Sequence, residues 1–513
     1  MENIGLLLAK RAHLTPTLEA VVDIASGRRL TYAELNERTN RVANALLSLG
    51  VQPGDRVASM LMNSPEFLET FLAVAKIGAV NVPLNWRLVP DELAFILQDA
   101  GATVLIAGEE FDAAVADLHD RGPEATSVRE WVRLGAAEPP GWAVDFDDWA
   151  GAAATDEPEP GGGDDDLLYI MYTSGTTGLP KGVMHSHHTA LWAVITMNGT
   201  ADLRYGDRYL IVLPLFHVGA LTPATGCVHR GVTMVIMRTF DPNGVWDLIE
   251  TERLTTGLCV PAMLNAMLAS PNAAQRDHSS LRWIMSGASP VPVNLIRAYE
   301  EIGVEIHQVY GLTESCGPAC LVAPEDALVR AGSTGKAFLH TDVRVARPDG
   351  TDCDPDEPGE VLVRGEHIMV GYWNRPDATA EAIRDGWLHT GDVAVMDADG
   401  FVYIQDRIKD MIISGGENIY PAELENVLLA HPKVRDVAVI GQPSARWGES
   451  PFAVVVPADP SLTEDEVLAW CRGKVAPYKL PKGASFVDEI PRNPSGKALK
   501  RVLRESFPGP STE

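Results

Sequence analysis

The run Leu167-Leu168-Tyr169-Ile170-Met171-Tyr172-Thr173-Ser174-Gly175-Thr176-Thr177-Gly178-Leu179-Pro180-Lys181-Gly182 joins two textures. Its first six residues are apolar throughout and predict a buried strand. Its last ten concentrate Gly, Ser and Thr around one Lys, a composition suited to holding polyphosphate. Glycine lets the backbone approach and turn N–H groups inward, hydroxyls donate further hydrogen bonds, and lysine adds a point charge. The run is not a Walker A loop, which needs Gly directly before Lys and Ser or Thr after it. Here Pro180 precedes Lys181 and Gly182 follows it. The plain alternative is a flexible polar turn, which seldom carries this much Thr plus Lys behind a core strand.

On both sides of this run, strands alternate with helices. Thr31-Tyr32-Ala33-Glu34 is a capping box with Leu30 and Leu35 as its staple, predicting a helix that ends at Gly50. Strands are expected over Val57 to Leu61 and Val80 to Leu84, with helices over Pro65 to Ile77 and around Leu93, Ile96, Leu97 and Ala100. Further strands follow at 209–213, 234–237, 257–260, 283–286 and 305–310, so a parallel α/β layer is expected. Residues 151–166 read as an exposed acidic linker rather than a domain break. His185, His187 and His188 hint at metal, but no neighbouring carboxylate or Cys completes a site; a helix start capped by Ser186 is the alternative. From Ala331 to about Ile404, short apolar runs between Gly-rich turns predict an antiparallel, β-barrel-like subdomain. A separate α+β piece follows, with strands at 434–440, 453–456 and 486–490 and a helix capped by Thr463 and Glu466. The fold class is therefore α/β. A large N-terminal domain (1–407) precedes a small α+β domain (408–513).

The length of 513 residues itself calls for more than one core. A net charge of −28 argues against nucleic acid or an anionic membrane surface as partner. The six cysteines include no C-x-x-C pair, so buried, reduced thiols in a cytoplasmic protein are expected. Met1 to Lys10 lacks the layout of a signal peptide, and no apolar run approaches the ~18 residues of a membrane span.

Four further motifs accompany the first in a fixed order: Tyr310-Gly311-Leu312-Thr313-Glu314, Thr390-Gly391-Asp392, Asp406-Arg407-Ile408-Lys409-Asp410 and Pro494-Ser495-Gly496-Lys497. Together the five resemble the adenylate-forming superfamily of acyl-CoA synthetases, luciferases and peptide-synthetase adenylation domains, from about Leu30 to about Arg501. The texture is most similar to bacterial fatty-acyl-CoA synthetases. The resemblance implies that a carboxylic acid and ATP give acyl-AMP and pyrophosphate, after which CoA displaces AMP. Its first transition state gathers negative charge at the α-phosphate, so preorganised positive charge is the main catalytic requirement.

By that resemblance Thr173, Ser174, Gly175, Thr176, Thr177, Gly178 and Lys181 hold the phosphates. Tyr310, Gly311 and Thr313 serve the adenine, and Asp392 binds the ribose with Arg407 assisting. Glu314, at a strand's carboxyl end where ligands of open sheets bind, takes Mg²⁺ together with Thr173. Lys497 bridges the substrate carboxylate and the α-phosphate; from residue type alone it reads as a solvated lysine beside the basic helix of Lys500, Arg501 and Arg504. Lys409 is the hinge about which the C-terminal domain turns, bringing Gly415 and Gly416 to the pantetheine of CoA. His217 gates the acyl site, with Val218, Gly219, Gly287, Ala288 and Val309 lining it. The chain ends without a carrier-protein domain, which favours free CoA as acceptor. A medium- or long-chain fatty acid is the expected substrate; an aromatic acid, a luciferase-type oxygenation and a non-catalytic nucleotide-binding regulator are the alternatives. A lysine acetyltransferase and deacetylase acting on Lys497 are expected as regulatory partners.

Overall fold

The computed structural model describes residues 3–509 apart from 136–137, 272, 174–179, 289–290, 408–409, 415–416, 445–446, 476 and 493–497. Side-chain caps decide where several helices begin. Thr31 accepts from the Glu34 amide while the Glu34 carboxylate takes the Thr31 amide at 2.8 Å, opening the helix Tyr32–Ser48. Ser64 caps Pro65–Lys76, which carries Pro in its first turn, Ser186 caps His187–Thr200 and Thr463 caps Glu464–Cys471.

The large N-terminal domain holds two sheets around a shared core. In the first, of eight strands, Leu167–Thr173, Val80–Pro83, Arg56–Met60, Ala102–Gly108, Glu130–Leu134 and Val144–Asp145 run parallel. Lys181–Ser186 folds back antiparallel on Leu167–Thr173, and Gly371–Tyr372 adds to its far side. The second sheet has nine strands. Its parallel centre runs Glu305–Tyr310, Trp283–Ser286, Thr256–Leu258, Arg208–Ile211, Thr233–Ile236 and Glu19–Asp23. One apolar cluster joins Val57 and Ile106 of the first sheet to Ile211, Ile236 and Met285 of the second, through helix residues such as Leu46, Phe71, Ala193 and Ala224. Strands buried on both faces read as unbroken apolar runs, which is why the sequence displays them so clearly.

A third sheet of five strands (Asp342–Ala346, Gly359–Arg364, Trp387–Met396, Ile383–Arg384 and Val402–Arg407) is antiparallel throughout. The smaller C-terminal domain has its own five-stranded sheet and two cores, one on each face, flanked by helices Pro421–Leu429, Glu464–Cys471 and Lys500–Ser506.

The acidic segment 151–166 is largely exposed, as expected, yet anchored at points: Asn44 donates to the Ala154 and Asp156 carbonyls at 2.9 Å each, and Glu157 pairs with Lys76. Lys76 is only 1% exposed, and a buried ammonium requires a counter-charge, which the linker supplies. The strand expected at 486–490 is Ala484–Phe486, a short parallel edge. Past it, Ile490 leaves the ladder and packs into the core under Lys500–Ser506. His187 and His188 open the helix capped by Ser186, as the plain reading had it, and Asp164 and Glu366 take the two ring nitrogens of His188 at 2.9 Å each. Glu366 is distant in sequence, so spacing could not reveal it. Among the described residues no group of three such side chains is arranged to hold a metal ion.

Candidate active site

The Leu167–Thr173 and Lys181–Ser186 strands pair in antiparallel register, with Thr173 opposite Lys181 at the hairpin's end. The Gly- and Thr-rich residues Ser174, Gly175, Thr176, Thr177 and Gly178 span that end and lie outside the described residues. Gly182 is required by packing: a Cβ there would lie 2.6 Å from Ile170 Cγ2 and 3.0 Å from the Tyr172 ring.

Across from the hairpin, the strand Glu305–Tyr310 ends in a tight reversal. A Cβ on Gly311 would sit 1.4 Å from the Gly317 carbonyl oxygen, so no other residue fits that crossing. Two contacts pin the reversal: His185 Nε2 meets the Thr313 carbonyl at 2.7 Å, and the Met369 amide donates to the Glu314 carbonyl at 2.8 Å. Burial pushes the His185 pKa down to about 4. The ring is therefore neutral at pH 7, and because a carbonyl only accepts, Nε2 carries the proton.

Gly371–Tyr372 links hairpin and reversal. Tyr372 pairs with Val183, its hydroxyl donates to Glu314 Oε1 at 2.9 Å, and Lys181 Nζ stands 5.0 Å from the centre of its ring. Asp99 anchors the neighbouring residues, accepting from Tyr172 Oη at 2.7 Å and Arg375 Nη2 at 2.8 Å, while its carbonyl takes Trp373 Nε1 at 2.9 Å. Tyr372 and Asp99 were not foreseen. The one signal in the sequence is the aromatic pair Tyr372-Trp373 in a polar, turn-rich stretch, where a core role has no obvious place.

On the other side of the reversal, Tyr310 Oη donates to Asp392 Oδ2 at 2.7 Å. Asp392 is only 4% exposed, and its backbone pairs with Arg407, whose side chain lies outside the described residues. Thr390 holds this turn by accepting from the Asp392 amide at 3.1 Å and donating to the Val361 carbonyl at 2.8 Å.

His217 caps the helix Val218–Arg230 by position, its amide bonded to the Pro214 carbonyl at 2.9 Å. Its Nε2 is buried with no partner among the described residues, and burial, aided by the Arg87 charge, pushes its pKa down to about 4. Val218 and Val309 pack on the same core, and Val218 Cγ2 lies 3.8 Å from where Gly317 would carry a Cβ. Gly287 approaches so closely that its Cβ would meet the Val309 carbonyl at 2.2 Å; Ala288 beside it has φ +66°. Gly219 has open room, with Leu213 Cδ1 at 3.6 Å as the nearest atom. Through these contacts the structure gathers Thr173, Lys181, Tyr310, Gly311, Thr313, Glu314, Asp392, His217, Val218, Gly287 and Val309 around the 311–317 reversal. Lys409, Gly415, Gly416 and Lys497 lie outside the described residues.

Comparison with known proteins matches residues 8–373 to the AMP-binding enzyme family and residues 423–497 to the C-terminal domain of AMP-binding enzymes. The chain belongs to the AMP-binding enzyme family. It is 45% identical to the long-chain-fatty-acid–CoA ligase FadD13 of Mycobacterium tuberculosis and 43% identical to a feruloyl-CoA synthase of an Amycolatopsis species, over 99% of each chain in both cases. A solved Mycobacterium tuberculosis fatty acyl CoA synthetase superposes with a TM-score of 0.78 at 43% identity, covering 99% of this chain and 98% of that one.

In this AMP-binding enzyme the C-terminal helix Lys500–Ser506 is less solvated than its basic sequence suggests. Lys500 is 10% exposed and reaches Glu425 at 2.9 Å and Asp406 at 3.8 Å, and Arg504 pairs with Asp410 at 3.0 Å. Asp406 and Asp410 bracket the expected hinge, so this helix holds both of its flanks.

Proposed function

We propose that this AMP-binding enzyme is an AMP-forming acid–thiol ligase. The observation carrying this reading is the clustering of Lys181, Tyr372 and Glu314 on one side of the 311–317 reversal with the Tyr310–Asp392 pair on the other. It offers one end to phosphates and the other to a nucleoside. A carboxylate oxygen of the acid attacks the α-phosphorus, and the bond to the β-phosphate breaks, releasing pyrophosphate. The CoA sulfur then attacks the acyl carbonyl; the carbon–sulfur bond forms, AMP leaves and the thiol proton passes to solvent. Lys181 and the loop hydroxyls hold the outer phosphates, Asp392 with Arg407 the ribose, and Tyr310 packs on the adenine. Lys497 draws the two anions of the first step together.

Glu314 fits a magnesium site. It is a single carboxylate at a strand's end, and accepting the Tyr372 hydroxyl leaves it further lone pairs. Glu314 and Thr173 would hold Mg²⁺, which when bound supplies charge neutralisation at the phosphates. His217, Val218, Gly219, Gly287, Ala288 and Val309 form the acyl site. A neutral, apolar-flanked His217 suits an uncharged acyl chain, so a medium- or long-chain fatty acid is the substrate, in lipid metabolism. An aromatic acid is the second reading, favoured by the similarity to a feruloyl-CoA synthase. No described helix is long and apolar enough to cross a membrane, and the reading places the enzyme in the cytoplasm.

Residues 408–513 turn about Lys409 between the half-reactions, exchanging Lys497 for Gly415 and Gly416. Lys497→Ala is therefore expected to abolish acid-dependent pyrophosphate release while still converting supplied acyl-AMP and CoA to thioester. Equal loss of both steps sinks the rotation. A panel of acids differing in length and aromaticity, scored for CoA-dependent AMP formation, decides the substrate. Acetylation of Lys497 removes the charge its role needs; full activity of protein acetylated stoichiometrically there, read by mass spectrometry, refutes both that role and its regulation.

A further inference from the structure

We infer that Tyr372 is a positioning residue that sets the phosphate-loop lysine and the metal-binding carboxylate in one fixed relation. This inference rests on the ligase reading above. Tyr372 reaches both partners from a third segment: its hydroxyl donates to Glu314 Oε1 at 2.9 Å, and Lys181 Nζ lies 5.0 Å from its ring centre. Without that segment, the hairpin and the 311–317 reversal would still meet through His185 and Thr313, but Tyr372's hold on the two charged side chains would be lost. The tyrosine itself is well fixed. Its backbone continues the sheet beside Val183, its amide donates to Thr379 Oγ1 at 2.9 Å, and the adjoining Trp373 and Arg375 are clamped on Asp99.

The two contacts divide the work chemically. A neutral hydroxyl donating to Glu314 orients the carboxylate and leaves it charged, so the other lone pairs stay aimed at a cation. The ring face offers Lys181 a weak electrostatic seat that holds the ammonium without neutralising it, so the lysine can meet a phosphate while keeping that contact. An acidic residue in place of Tyr372 would bind Lys181 too firmly and repel the second carboxylate.

The test is calorimetric ATP binding by the full-length protein over a series of Mg²⁺ concentrations, which needs no turnover. Tyr372→Phe keeps the ring and removes the hydroxyl. Loss of a hydrogen bond to a charged group should raise the Mg²⁺ needed for half-maximal ATP affinity about tenfold, with metal-free ATP binding unchanged. Tyr372→Leu removes both contacts and should add a loss of about threefold or more in metal-free ATP affinity. Wild type that binds ATP in a Mg²⁺-dependent way, overlaid by Tyr372→Phe, overturns the inference alone. A Tyr372→Phe protein weakened equally with and without Mg²⁺ overturns it too, since that is general disturbance rather than positioning. Wild type that binds no ATP at any Mg²⁺ concentration overturns the functional reading beneath it.

Discussion

At the scale of single residues, the site is built from positions where the backbone itself is the constraint. Gly311 crosses the Gly317 carbonyl with no room for a methyl group. Gly311→Ala must push the 311–317 reversal open, carrying Glu314 with it. Overpacking against backbone should cost about 2 kcal/mol or more and remove adenylation, checked by urea unfolding and pyrophosphate release; wild-type behaviour in both would disprove the crossing. Ala288 is the converse case. It holds φ +66°, where a side chain is strained and glycine is not. Ala288→Gly should therefore raise stability by about 0.5–1 kcal/mol, and a destabilised variant would show that the alanine methyl is making contacts worth more than the strain. The motif around Gly311 was legible as a motif; that its glycine is a steric necessity was not, because Gly317 meets it only after the chain reverses.

Among elements, the informative contrast is between the hairpin and the C-terminal helix. The hairpin's first strand was legible because an apolar run followed by polar punctuation has few other readings; its return strand, Lys181–Ser186, was not read. The helix Lys500–Ser506 was located correctly, yet its basic face reads as solvated until the fold supplies Glu425 and Asp406. Burial alone would lower the Lys500 pKa, but the carboxylates around it outweigh that, and the net shift is upward. Lys500→Met removes the cation that the half-buried Asp406 and Glu425 carboxylates share and should cost about 3 kcal/mol, seen as faster amide exchange across residues 500–506 and 421–429. Protection unchanged from wild type would mean the pair is an ordinary surface contact.

For the molecule as a whole, charge and burial predict an acid-sensitive fold. His185, His187, His217 and His367 all have pKa values pushed down to about 4, chiefly by burial. Each binds its proton more readily unfolded, near pH 6.5, than folded. The unfolded state therefore takes up protons first, and stability falls as pH drops from 6.5 towards 4. Glu69, raised to about 7 by burial, and His188, raised overall by Asp164 and Glu366, work in the opposite direction but are fewer. The urea midpoint should be clearly lower at pH 5 than at pH 7.5, above the range where most carboxylates titrate. Equal midpoints would mean these histidines are charged or solvated in the native state. Taken by itself, the sequence determined the α/β class, the strand and helix starts, and the five motifs, because periodicity, caps and turn chemistry are local properties of neighbouring residues. Only the tertiary structure decided that Tyr372 stands between Lys181 and Glu314, that Tyr310 meets Asp392, and that Glu157 neutralises Lys76. Those partners lie dozens to nearly two hundred residues apart, and they become neighbours only when strands from distant parts of the chain pair and bury a common core.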